Sequence, residues 1–357
     1  MLMDKRNREN RCLYTSPAGL CPGTSPLHPK EHYLPAGLGN FEGDVRLRDF
    51  ICYDCQKRFA QLEEVFLRNS TEAFFRKILG VQGRKNNNPK NIFVEPTLGL
   101  PPLTVKAMHP SLQQEFLWEM NSDTEAYLMH QLLFRKPDGT FVHVPIRSGL
   151  IEKKLEEQSP TWREWQLVAC IAGEKDEEEL QNVVGDALKQ MPDSPLDVAE
   201  SQQIEGQMNA MISLPYIRAI AKIAFHYVLA MFQFSGFEDE FDDLKRFIYH
   251  GAGEPLAKIV DDVILPEVEP DHVRLKQWSH ILTAEFNQDG FFARMLFFAG
   301  PRLKPFTWRV RLGANPSRIL PQRSIGWRYT YSDEPSTSGY VGKAAELQQG
   351  PMIFAKL

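Results

Sequence analysis

The chain has 357 residues, 43% of them hydrophobic and 24% charged, which is enough apolar side chain for more than one packed core. No stretch approaches the ~20 consecutive apolar residues of a membrane-spanning helix, and the opening MLMDKRNREN carries charges of both signs with no apolar run behind it. This argues against a secretory signal and points to a soluble, cytoplasmic protein. The net charge of −5 is uneven, with a net +5 in residues 1–90 and −10 in the remainder, a division compatible with a polyanion site confined to the N-terminal end and equally with chance.

Four of the five cysteines, Cys12, Cys21, Cys52 and Cys55, fall in the first 55 residues. In a reducing compartment, clustered thiols point to metal ligands before disulfides. Cys52-Tyr53-Asp54-Cys55 has the spacing that places two thiolates on one zinc ion. Cys12 and Cys21 complete a tetrahedral set if the TSPAGL segment between them loops out, with His28 as a substitute ligand. Residues 1–45 are rich in Gly, Pro and Ser, so a bound zinc is expected to staple a segment that has little apolar surface of its own.

Val45 to Tyr53 reads as a strand, and Gln56 to Leu79 as amphipathic helix broken near Asn69-Ser70. The polar run Gln82 to Lys90 is a linker. Beyond it, Ala126 to Phe134 and Thr140 to Ile146 flank Pro137-Asp138-Gly139, the pattern of a hairpin. A strand from Trp165 to Ala172, carrying a buried Cys170, leads into an acidic helix from Asp176 to about Gln190. A long core helix is expected from about Ile204 to Phe234, kinked or restarted at Pro215, then a short helix from Phe237 to Tyr249 stopped by Gly251. The tail reads as strands at His280–Phe286, Phe291–Phe298 and Phe306–Leu312. The fold class is therefore α+β: a zinc-stapled module at 1–85, an α+β region at 86–200, and a long helix with antiparallel strands at 201–357 that either stands apart from the preceding region or continues it.

Between the two cysteine pairs stands Glu31-His32-Tyr33-Leu34-Pro35, then Leu38-Gly39. A carboxylate beside an imidazole is suited to hold a divalent metal and to deprotonate water. Taken in order, Cys12, Cys21, Glu31-His32-x-x-Pro35, Leu38-Gly39 and Cys52-x-x-Cys55-Gln56 resemble the zinc-containing HNH endonucleases over residues 10–66. That resemblance implies a ββα-metal fold, with a structural Zn²⁺ on the four thiolates and a catalytic Mg²⁺ or Mn²⁺ nearby. It implies His32 as general base and Glu31 as a ligand of the catalytic metal. Gln56, where the family has Asn or His, and Glu63, seven residues along the helix, are the further ligands. Arg46, Arg48, Lys57 and Arg58 supply phosphate contacts. The implied activity is metal-dependent hydrolysis of nucleic acid, DNA in the first instance; a zinc-stapled binding module without catalysis is the alternative.

Overall fold

In a computed structural model of the chain, the residues described are 10–17, 19–41, 46–81, 92, 103–109, 114–120, 126–146, 151–173, 176–189, 206–209, 212–232, 234–260, 278–287, 290–299, 306–314, 323–330 and 341–347. The chain divides into two units, one formed by residues 1–102 together with 211–357 and the other by 103–210. The N-terminal module and the tail, expected as separate parts, fall in the same unit. The linker expected at 82–90 lies outside the described residues.

The first unit begins with irregular chain and three two-residue strands, β1 (Glu31–His32), β2 (Asn40–Phe41) and β3 (Arg46–Leu47). β1 pairs antiparallel with β3, Glu31 opposite Leu47 and His32 opposite Arg46. The strand expected over 45–53 is thus only two residues long. Helix α1 (Tyr53–Arg68) follows and buries Cys55, Phe59, Leu62, Val65 and Phe66, a spacing of three and four that defines one helical face. It stops where expected: Ser70 starts α2 (Thr71–Ile78), its Oγ accepting from the Ala73 N–H at 3.0 Å, an N-cap that satisfies one of the orphan donors of the first turn.

The second unit contains β4 (Thr104–Met108), β5 (Glu115–Met120), β6 (Ala126–Leu128), β7 (Gln131–Arg135), β8 (Phe141–Pro145), α3 (Ile151–Gln158), β9 (Gln166–Ile171), α4 (Glu177–Leu188) and β10 (Gly206–Asn209). Two antiparallel sheets result, in the orders β10-β4-β5-β6 and β8-β7-β9. The expected hairpin is β7–β8; its turn has Gly139 at φ +86°, which L side chains adopt with strain, and Asp138 accepts from the Thr140 N–H at 2.9 Å. Gln131 ties the sheets together: its amide donates to the carbonyls of Leu117 and Met129 and accepts from the Leu117 N–H. Cys170 is half-buried rather than buried.

The chain then returns to the first unit with α5 (Leu214–Met231), α6 (Asp242–His250) and strands β11 (Ala257–Val260), β12 (Ser279–Asn287), β13 (Gly290–Ala299), β14 (Thr307–Gly313), β15 (Arg323–Thr330) and β16 (Val341–Leu347). The long helix begins at Leu214 and not near 204, a correction with two local causes. Ser213 caps it with Pro215 in the first turn, where a missing N–H costs nothing, and residues 206–209 are instead paired with β4. Gly251, at φ +73°, closes α6 with its N–H on the Phe247 carbonyl, as a left-handed C-cap does. The strands form one sheet in the order β11-β14-β13-β12-β15-β16-β2, antiparallel except for β16 with β2. Phe66 of α1 touches Tyr216 of α5 and Phe297 of β13, and Tyr33 bonds Tyr329 through their hydroxyls at 2.9 Å. These contacts join the two ends of the chain in one core.

Candidate metal centre

Cys12 precedes a single 3₁₀ turn (Leu13–Thr15), Cys21 lies in the following loop, and Cys52 and Cys55 stand at the N-cap and in the first turn of α1. Main-chain bonds hold these segments in place: Leu13 N–H to the Phe50 carbonyl at 2.7 Å and Cys21 N–H to Tyr14 at 2.9 Å. All four side chains are buried, and their sulfurs lie within 4.8 Å of one another. Cys12 and Cys55 are 3.6 Å apart and Cys21 and Cys52 3.5 Å, too far for disulfides. A tetrahedron with metal–sulfur bonds of ~2.3 Å has edges of about 3.8 Å, so the group is able to hold a metal ion with little movement. His28 is not in the group; its Nδ1 accepts from the Lys30 N–H at 3.3 Å.

Two sulfurs also accept main-chain hydrogen bonds, Cys12 from the Cys52 N–H and Cys21 from the Gly23 N–H, each at 3.3 Å. Such donors favour the thiolate. The hydrogen bond with Cys55 brings the Cys12 thiol down to about 6, while burial pushes Cys21 up to about 11. Cys55, through its bond with Cys12 and its burial, goes far above the ordinary range. Crowded sulfurs thus ionise unequally by themselves; a divalent cation would deprotonate the whole set.

The other residues expected to carry chemistry are distributed less simply. Glu31 and Glu63 do come together, from β1 and α1, but on the ammonium of Lys222 in α5. Lys222 Nζ donates to Glu31 Oε1 and to Glu63 Oε1, both at 2.5 Å, and to the His32 carbonyl at 3.2 Å. Lys222 is 0% exposed, whereas the Glu63 side chain keeps 20%. Burial opposes the ammonium charge, but the two carboxylates outweigh it and raise the pKa above the ordinary lysine value. His226, one turn further along α5, is also fully buried; its Nε2 lies 3.2 Å from the Tyr14 hydroxyl. Burial, then Lys222, lowers its pKa well below 6.5, so the ring is neutral.

His32 is half-buried on β1 opposite Arg46, and Gln56 is half-buried in the first turn of α1. Of the expected phosphate contacts, Arg48 and Lys57 are exposed and Arg46 is half-buried. Arg58 is committed elsewhere: its Nε and Nη2 donate to the Tyr249 carbonyl at 3.1 and 2.9 Å, and its guanidinium lies over the Tyr249 ring at 4.3 Å. Reading the sequence missed Lys222 and His226. Their signal was a lysine and a histidine four apart in the largely apolar stretch of α5 from Ala219 to Leu229, where a buried ammonium requires carboxylates. Among the described residues no helix is long and apolar enough to cross a membrane. No family model matches the chain, and no curated protein or solved structure matches it.

Proposed function

We propose that this chain is a zinc-stapled nucleic-acid-binding protein whose N-terminal segment is a ββα element of the HNH kind. The observation that carries the reading is the convergence of four buried sulfurs at the start of α1, directly after the antiparallel β1–β3 pair that bears Glu31 and His32. Four thiolates at tetrahedral spacing favour Zn²⁺, which has no geometric preference of its own and binds sulfur tightly. Arg48 and Lys57, exposed beside this element, are the phosphate contacts, with Arg46 on β3.

Hydrolysis by the same element would need a Mg²⁺ or Mn²⁺ ion on Glu31 with Gln56 or Glu63, and His32 to take a proton from water. The Lys222 ammonium on both carboxylates favours binding without hydrolysis. The test pairs an electrophoretic binding assay on DNA and RNA with a plasmid-cleavage assay in Mg²⁺ and Mn²⁺. Binding without cleavage is expected. Metal-dependent cleavage abolished by His32→Ala would instead establish the endonuclease, and absence of binding to any nucleic acid at low salt would refute the reading altogether.

A further inference from the structure

Three oxygens converge on one point inside the first unit: the Glu31 and Glu63 Oε1 atoms and the His32 carbonyl, all within hydrogen-bonding distance of Lys222 Nζ. A fourth donor stands beside them. His226 Nδ1 lies 4.0 Å from the Glu31 oxygen, completely buried and with no hydrogen-bond partner, because the Tyr14 hydroxyl engages only the other ring nitrogen. Two carboxylates, a main-chain carbonyl and a neutral imidazole are the donor set of a hard divalent ion such as Mn²⁺ or Mg²⁺. The position is filled by an ammonium.

We propose that Lys222 is a built-in substitute for a divalent cation, closing a Glu31–Glu63–His226 pocket that would otherwise take Mn²⁺ or Mg²⁺. The inference rests on the reading above only in that Glu31 and Glu63 are the ligands that reading would give a catalytic ion. An ammonium has three N–H donors, and here the two carboxylates and the carbonyl account for all three. It supplies one positive charge where a metal would supply two. It also has no open coordination position on which to acidify a water. A simple structural triad would leave the unpartnered His226 nitrogen unexplained, since buried polar atoms are almost always bonded. A pocket shaped for a larger coordination sphere accounts for it. The substitution makes nucleic-acid binding independent of divalent metal and leaves the element without hydrolysis.

The experiment is Mn²⁺ titration of the full chain by electron paramagnetic resonance, with zinc content measured on every sample. Wild type and Glu63→Gln should take up the same number of Mn²⁺ ions. Lys222→Met should take up one more per chain, with a ¹⁴N coupling from imidazole that Lys222→Met combined with His226→Phe loses. Because Lys222→Met leaves the buried Glu31 carboxylate facing the half-buried Glu63 carboxylate, its melting temperature should be low in chelated buffer and rise with Mn²⁺, while that of wild type should not move. The proposal is overturned if wild type shows the imidazole-coupled Mn²⁺, or one ion more than Glu63→Gln. It is equally overturned if Lys222→Met gains no ion, whether folded or still unfolded with Mn²⁺ in excess. Loss of zinc or of nucleic-acid binding from wild type would count against the preceding proposal and not against this one.

Discussion

If the four sulfurs hold zinc as proposed, stripping it should have the largest effect on the fold of any single perturbation. Binding of structural zinc by thiolates has an apparent free energy of ~10–16 kcal/mol near neutral pH, comparable with the ~5–15 kcal/mol that separates a whole domain from its unfolded state. Metal would not hold the segment alone, since Leu13, Tyr14, Leu20, Tyr33, Leu34 and Leu38 are all buried. At ~1.5–3 kcal/mol for each apolar side chain, the six contribute about as much as the metal. Removing the ion therefore takes away roughly half of what orders residues 10–38.

The assay follows from the geometry. A mercurial titrated against the thiols should release one zinc per chain, read by a metallochromic dye. After chelation, hydrogen exchange should lose protection at Leu13, Cys21 and Gln56, whose N–H groups bond the carbonyls of Phe50, Tyr14 and Cys52. The β7–β8 ladder, in the unit without these cysteines, should keep its protection. Finding no zinc in unchelated protein, or unchanged exchange at those three amides after chelation, would refute the argument.

Binding to duplex DNA should weaken roughly 40-fold between 50 and 200 mM salt if Arg46, Arg48 and Lys57 each neutralise one phosphate; replacing both Arg48 and Lys57 by Ala should flatten the dependence, whereas a salt-independent affinity would contradict the assignment. Phe66→Ala should cost about 3–5 kcal/mol in chemical denaturation, because the ring touches both α5 and β13; a loss below 1 kcal/mol would mean the two ends of the chain do not share a core. Acid should destabilise the first unit through His280, whose Nδ1 accepts from the Phe298 N–H while Nε2 donates to the Leu38 carbonyl, each at 3.1 Å. Burial lowers its pKa to about 3, below the unfolded value, so its contribution is complete above pH 6.5 and is lost as pH falls toward 3, by about 1.4 kcal/mol per unit. A His280→Gln variant should show a shallower loss between pH 6.5 and 5; an identical slope would sink this account.

Much of the fold was legible because its signals are local. The break at Asn69-Ser70 is an N-cap, the hairpin at Pro137-Asp138-Gly139 is a turn whose glycine has positive φ, and Gly251 ends α6. Each depends on residues within one turn of chain. The start of α5 was misread for the same reason in reverse: Ile204 to Ile212 offers apolar residues, but the pairing of residues 206–209 with β4 is made about a hundred residues away, and no local period records it. The sharing of one core by the two ends of the chain is likewise not local. Nothing in the N-terminal sequence says that Phe66 will rest on Phe297, or Tyr33 on Tyr329.

The candidate site divides along the same line. The thiols were legible as a set because metal ligands must be few, chemically special and mutually close, and all but one of the chain's cysteines fall within its first 55 residues. Glu31 and Glu63 were read as ligands of one metal ion, and the cation on which the structure brings them together is the Lys222 ammonium, 191 residues after Glu31. A charged residue in the middle of an apolar helix is expensive to bury, by several kcal/mol unless paired, so its presence in the run Ile220-Ala221-Lys222-Ile223 is a demand for carboxylates somewhere in the fold. The sequence offers many carboxylates and does not say which. What selects Glu31 and Glu63 is the packing of α1 against α5 around Phe59 and His226, which places α1's seventh residue after Gln56 and the strand residue before His32 on the same side of α5. The chemistry at that point is thus decided by tertiary packing, and the residues that resemble a hydrolytic centre acquire an ammonium as their counter-ion.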